Sequence, residues 1–351
     1  MDKNLDIDRR AFLKSTTLAA AGVAVIGVNQ GEAEASGAEW TNRSPINPAI
    51  SNTKVVCCYD EMMITDAAAA KTATTLTAQN AVLNTSKVES NLDQLAMKLT
   101  GKATAQSAWE TIFRKPEAKQ WADVKVALKV NCIDSKNMPR IAVVGKVCKE
   151  LAKLGVATSN MTIYDGGHDA SGNNKYPPFI GNGIPDGVKV QSGKGSTTSI
   201  AVGTGKMNCT NVVISSDILV NFAVNKGHGS DKGGFTLSMK NHTGTMKFSC
   251  PSATEMVNQN KSATILGGAI PRQQLCIVDS IWAEKSGPVA AITHLPCRLV
   301  MGIMGPAVDI MTARNIREKL MGATHNEKAI STLVSGFGYE EDEFEWNEFT
   351  P

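Results

Sequence analysis

Aromatic residues are scarce, with Phe, Trp and Tyr making up 5% of the 351 residues. No apolar run reaches the roughly 18 residues a membrane-spanning helix needs. The eight cysteines include no C-x-x-C pair, so the strong mark of a structural zinc site or an iron–sulfur cluster is missing. Basic charge is not concentrated either. A net charge of +3 without a basic stripe argues against nucleic acid as a partner. G-x-x-x-x-G-K-[ST], G-x-S-x-G and H-E-x-x-H are all absent, and no G-x-G-x-x-G stands between a strand and a helix. The standard phosphate-loop, hydrolase, zincin and dinucleotide readings therefore lose their best evidence. There is no internal repeat.

What is present is globular. A chain 42% hydrophobic and 20% charged is too apolar and too mixed in charge for disorder. Its length supplies ample material for a core.

Residues 1–35 read as an export signal rather than as fold. Arg9-Arg10-Ala11-Phe12-Leu13-Lys14 precedes a mild apolar run, Leu18 to Val28, and then Ala33-Glu34-Ala35, an A-x-A cleavage pattern. The paired arginines resemble a twin-arginine signal, an address read by a receptor. The twin-arginine translocase is then a partner during export, the destination is the periplasm or its equivalent, and cleavage leaves no stable membrane span. An exported location permits one or two disulfides, though sequence cannot assign the pairs. Most of the cysteines read as small buried apolar residues.

Residues 36–52 form a polar linker, 53–335 an α/β domain and 336–351 an acidic tail. Strands are expected at Thr53–Tyr59, Val124–Val130, Met161–Tyr164, Ile218–Phe222, Leu275–Ile281 and Arg298–Ile303. Pro139 opens a helix with apolar residues at steps of three and four, closed by Gly155. Strand, helix and strand with short connections make a βαβ unit, so the sheet should be mainly parallel and flanked by helices. Residues 166–187 are a long glycine- and proline-rich loop. Val188–Val190 and Ser199–Val202 read as a hairpin, and Phe235–Asn241 as a short helix. Pro306 starts a helix that Gly322 caps, and a final helix spans about 326–335.

In parallel α/β sheets, ligands bind beyond the carboxyl ends of the strands. That rule selects Lys129 and Asn131, the run from Asp165 to Asp169 with His168, the segment from Asn225 to His242, and Glu284 to Pro288. Glycines let a backbone approach a ligand, lysines offer charge to carboxylate or phosphate, and histidines carry protons or bind metal near neutral pH. The bland readings are a solvated basic loop for 225–242 and an Asx turn for 165–169. Asp217 and Asp279 lie beside or inside apolar strands, where an unpaired charge is costly. Each is expected to pair with a lysine or to cap a loop.

The ordered motifs resemble the domain-of-unknown-function 362 family over about residues 120–335. Ser216-Asp217-Ile218-Leu219-Val220-Asn221 is followed by Lys226, His228, Thr236-Leu237-Ser238-Met239-Lys240-Asn241 and Gly244. Lys129-Val130-Asn131, Ile277-Val278-Asp279-Ser280-Ile281 with Gly287-Pro288, and Ala307–Gly322 with Asp309 follow the same pattern. Many members of that family carry a ferredoxin-like cluster domain with C-x-x-C motifs. This chain has none, which leaves a cluster unsupported.

The candidate catalytic residues are Lys240 and His228. The candidate ligand-binding residues are Lys129, Asn131, Lys226, Asn241 and Asp279. Asp165, His168 and His228 are the candidate ligands of a divalent metal. One reading is an exported protein that binds a metal, a cofactor or a small anion at the strand ends, a redox-related enzyme among the options. The other is a non-catalytic periplasmic binding module, or the partner module of a redox assembly. Sequence leaves open whether the chain is an enzyme.

Overall fold

The apolar runs at 126–129, 218–227 and 273–283 are buried along their whole length, the pattern of strands covered on both faces. In the computed structural model they lie side by side at the centre of a sheet. The structure describes residues 43–134, 136–166, 183–246, 251–265 and 270–351, without the side chains of Asp231 and Ile265. All of these belong to one compact unit, Ser36–Pro351.

The strands in chain order are β1 (Lys54–Tyr59), β2 (Val126–Lys129), β3 (Met161–Asp165), β4 (Lys189–Ser192), β5 (Thr197–Val202), β6 (Gly205–Thr210), β7 (Ile218–Gly227), β8 (Phe235–Thr236), β9 (Gln273–Ala283), β10 (Arg298–Gly302) and β11 (Glu345–Phe349). Among the described residues the main sheet has nine strands, ordered β11-β1-β10-β9-β7-β2-β3-β4, with β8 paired to β7. The run from β9 through β4 is parallel throughout. β10 is antiparallel to both β9 and β1, while β11 is parallel to β1. The fold is therefore α/β, a mainly parallel sheet flanked by helices.

The expected βαβ unit is present. β2 leads into the helix Ile141–Lys153, and β3 then pairs parallel with β2. The last long helix begins at Gly305 with Pro306 in its first turn, and Gly322 closes it with φ 58. Its middle, Ala313–Glu318, widens into a π-helix, a form common at functional sites.

Three expectations are corrected. The hairpin is β5 with β6, whereas β4 joins the main sheet parallel to β3. Phe235–Asn241 is not one helix: Phe235 and Thr236 form β8, opposite Gly227 and Lys226, and only Ser238–Asn241 is helical. Thr236 and Lys240 therefore do not share a helix face. Within 336–351, set apart above as an acidic tail, Glu345–Phe349 supplies the edge strand β11. Much of the loop expected at 166–187, with His168, lies outside the described residues.

The seven described cysteines are buried. Burial pushes the thiols of Cys57, Cys148 and Cys276 up, which makes them poor nucleophiles. Among the described residues no helix is long and apolar enough to cross a membrane.

Candidate functional site

The parallel strands end on one side of the sheet, and two buried polar networks form there. The first is built on Lys129, the last residue of β2, which is 1% exposed. Its Nζ donates to Val130 O at 2.5 Å, Asn241 Oδ1 at 2.7 Å and Asp165 Oδ1 at 3.0 Å. Those three bonds use all of an ammonium's donors. The other oxygen of Asp165, Oδ2, accepts from Cys132 N at 2.7 Å. Asn241 in turn donates to Asn221 Oδ1 and Phe222 O. Gly244 lies so close that a Cβ there would collide with Asp165 Oδ1 and the end of Lys129.

His242 extends this network. Its Nε2 lies 2.5 Å from Gln273 Oε1, and its Nδ1 faces Thr245 Oγ1, which in turn meets Tyr164 OH. The ring therefore donates from Nε2 and accepts at Nδ1. Burial, with the nearby Lys129 charge acting in the same direction, brings its pKa down to about 4, against the hydrogen bond to Gln273. His242 is neutral at ordinary pH.

The second network lies farther along β7 and β9. The two strands shift register between Val224 and Asn225, just before Lys226. Such irregularities re-aim side chains, often next to active sites. Lys226 has no exposed surface. Its Nζ donates to Asn131 Oδ1 at 3.2 Å and lies 3.9 Å from Glu284 Oε1. Glu284 follows directly on β9 and is also fully buried, yet neither carboxylate oxygen has a hydrogen-bond partner among the described residues. The Asn137 amide and the Ala290 N–H face it and favour its charged form. Asp134 Oδ2 and Asn137 Nδ2 are likewise unmatched. Burial lowers the pKa of Lys226 and raises that of Glu284.

Arg317 frames this second network from the π-helical segment. Its guanidinium donates to Asn225 Oδ1 at 2.6 Å, Lys285 O at 2.8 Å and Glu284 O at 3.1 Å. It thereby ties the end of β7 to the start of the loop after β9. That loop also crosses tightly over Gly227, where a Cβ would strike Lys285 O.

Arg140 borders the site and is fully engaged. It grips Asp279 through its backbone N, Nε and Nη2 at 2.7, 2.8 and 3.1 Å. Asp279 is thus paired, as expected, but with an arginine. Asp217 takes Lys119 at 2.7 Å. Asp309 accepts from the backbone N–H of Ser238 and of Met239, capping the short helix that carries Lys240 and Asn241. Burial raises its pKa to about 7, against those two bonds.

The structure thus divides the sequence candidates. Lys129, Asp165 and Asn241 are joined in the first network, and Asn131 and Lys226 in the second. Asp279 sits in its ion pair with Arg140. Lys240 is buried on the short helix. His228 is half-buried after β7, and its Nδ1 accepts from Gly229 N at 2.8 Å. Among the described residues no group of three or more His, Cys, Asp or Glu side chains is placed to hold a metal. His168 lies outside them. Sequence reasoning gave no role to Glu284, Asp134, Asn137 or Arg317. The available signal for Glu284 was its place directly after an apolar strand, in a segment already selected by the strand-end rule.

Comparison with known proteins finds no match among curated proteins. The family described as Domain of unknown function (DUF362) matches residues 126–314, more than half of the chain and inside the stretch that carries the motifs. That span holds Lys129, Asn131, Lys226, Lys240, Asn241, Glu284 and Asp309, and with them both networks except Arg317; the chain belongs to the DUF362 family.

Proposed function

We propose that the chain binds a small anionic ligand beyond the carboxyl ends of β2, β7 and β9, with Lys226 as its cation and Asn131, Asn137 and Glu284 around it. The observation that carries this reading is the contrast between the two networks. Lys129 has every donor matched at short range, as a structural lysine should. Lys226, equally buried, uses one donor within hydrogen-bond distance and stands 3.9 Å from a carboxylate neither of whose oxygens completes a hydrogen bond among the described residues. Unmatched buried polar groups are costly, and they cluster where a site is arranged for something other than stability. The Lys226 ammonium at the centre of the site disfavours a divalent cation there.

The test uses protein isolated from its own host, comparing wild type with Lys226→Met by native mass spectrometry and elemental analysis. The reading expects a small anion that co-purifies with wild type and is lost from the variant. Equal ligand content in the two would refute it.

The reading includes export by the twin-arginine route, supported by Arg9-Arg10-Ala11-Phe12-Leu13-Lys14 and by Ala33-Glu34-Ala35. Mature protein should begin near Ser36, and Arg9/Arg10→Lys should abolish export. An intact N-terminus on exported protein would sink the cleavage, and unimpaired export of the variant would sink the route.

A further inference from the structure

We propose that the Lys226 amine condenses with the carbonyl group of a small 2-oxo carboxylate to form a protonated imine, with Glu284 carrying the proton. The inference deepens the ligand-site reading above and rests on it: the anion taken by the site also bears a carbonyl group.

The ammonium of Lys226 is weakly held. Among the described residues its one acceptor within hydrogen-bond distance is the neutral amide oxygen of Asn131, at 3.2 Å, and the Glu284 carboxylate stands off at 3.9 Å. Lys129, by contrast, donates to three acceptors at 3.0 Å or less, one of them a carboxylate. The other groups facing Lys226 are Asp134 and Cys132, from the segment after β2, and Arg140. Asp134 is shared with Lys136 at 3.9 Å, and Arg140 is paired with Asp279. A desolvated lysine without a close counter-ion gives up its proton readily, and its free amine is the nucleophile that forms imines with carbonyl compounds. The lowered pKa of Lys226 agrees with this direction.

Glu284 supplies the acid–base partner. It follows directly on β9, and about 1 Å of side-chain movement brings it into hydrogen-bond reach of Lys226 Nζ. Burial shifts the two groups toward each other, the lysine down and the carboxylate up, so a proton passes between them at small cost. In the step, the ammonium gives one proton to Glu284 and the amine attacks the carbonyl carbon. The carbonyl oxygen leaves as water with two protons that began on the nitrogen, one of them returned by Glu284. A C=N bond replaces the C=O bond, nothing is oxidised or reduced, and the third proton stays on the iminium nitrogen. Lys226 thus keeps its positive charge beside the ligand carboxylate.

The experiment incubates the full chain with pyruvate and sodium cyanoborohydride, which reduces an imine to a stable secondary amine, and maps the labelled lysines by peptide mass spectrometry. At about pH 7.5 an ordinary lysine is free amine only about one time in a thousand, so surface lysines set a low background. Lys226 should be labelled at least about tenfold faster than that background, and faster by pyruvate than by acetone, which lacks the carboxylate. Glu284→Gln should slow the labelling of Lys226 at least about tenfold. Acetate affinity is measured alongside. Wild type that binds acetate but labels Lys226 no faster than the background overturns the imine and leaves the site reading standing. Labelling of Lys226 without acetate binding keeps the imine and overturns the anion reading, and neither labelling nor binding overturns both. Equal labelling by acetone overturns the 2-oxo carboxylate class, and an unchanged rate in Glu284→Gln overturns the role of Glu284.

Discussion

Lys226 Nζ lies 3.9 Å from Glu284 Oε1, and neither side chain has any exposed surface. Close by, Lys129 and Asp165 meet at 3.0 Å with nearly the same burial. The two pairs share residue chemistry and depth in the fold. They differ in completeness. The Lys129 pair is matched at every donor, and the Lys226 pair leaves a carboxylate unmatched. That difference is what motivates the proposal that the second pair, unlike the first, serves binding.

It also sets opposite mutational costs. Lys129→Met leaves Asp165 buried without its cation and should cost about 3–5 kcal/mol. The double variant Lys226→Met, Glu284→Met removes an incomplete pair and should be neutral or stabilising by about 1–4 kcal/mol. Denaturant unfolding checks both through the midpoint at unchanged slope. A double variant as damaged as Lys129→Met would show the second pair to be structural.

His242 gives stability a pH limb. Its pKa is about 4 in the fold, and the free side chain in the unfolded chain sits near 6.5. The unfolded chain therefore takes up a proton first as pH falls. The contribution of the neutral ring is complete above about 6.5 and is lost as pH falls through about 4, on the order of 3 kcal/mol in all. The limb should appear as a difference in slope between wild type and His242→Gln over that window. Identical slopes would mean that the ring is not held neutral.

The motif carrying Lys240 and Asn241 ends at Gly244, whose backbone packs directly against Asp165 and Lys129. Gly244→Ala should cost about 3 kcal/mol through overpacking against an ion pair that cannot shift. A loss within about 0.5 kcal/mol, the ordinary range for a surface position, would contradict the packing.

The βαβ unit was legible because its signals are local: an apolar run, a periodic helix, Gly155 and a second apolar run. The edges were not. β4 is Lys-Val-Gln-Ser, with no apolar stripe to fix its partner, and β11 looks like acidic tail because Glu345 and Glu348 dominate its composition. The site was legible to the level of its segments. Lys129, Asn131, Lys226 and Asn241 all stand at strand ends or follow them closely. Which of them are matched was not legible, because matching depends on contacts such as Lys129 with Asn241, 112 positions apart. Arg140 and Asp279 meet across 139 positions, and Arg317 reads as one more charge on a helix until its carbonyl partners are seen.

The most direct test of the account is the affinity of acetate for Lys226→Met and for wild type, measured at pH 6 with melting temperatures recorded alongside. The account predicts at least about a tenfold weakening in the variant, roughly 1.4 kcal/mol, with folding retained. An unchanged acetate affinity in a folded Lys226→Met protein would contradict it.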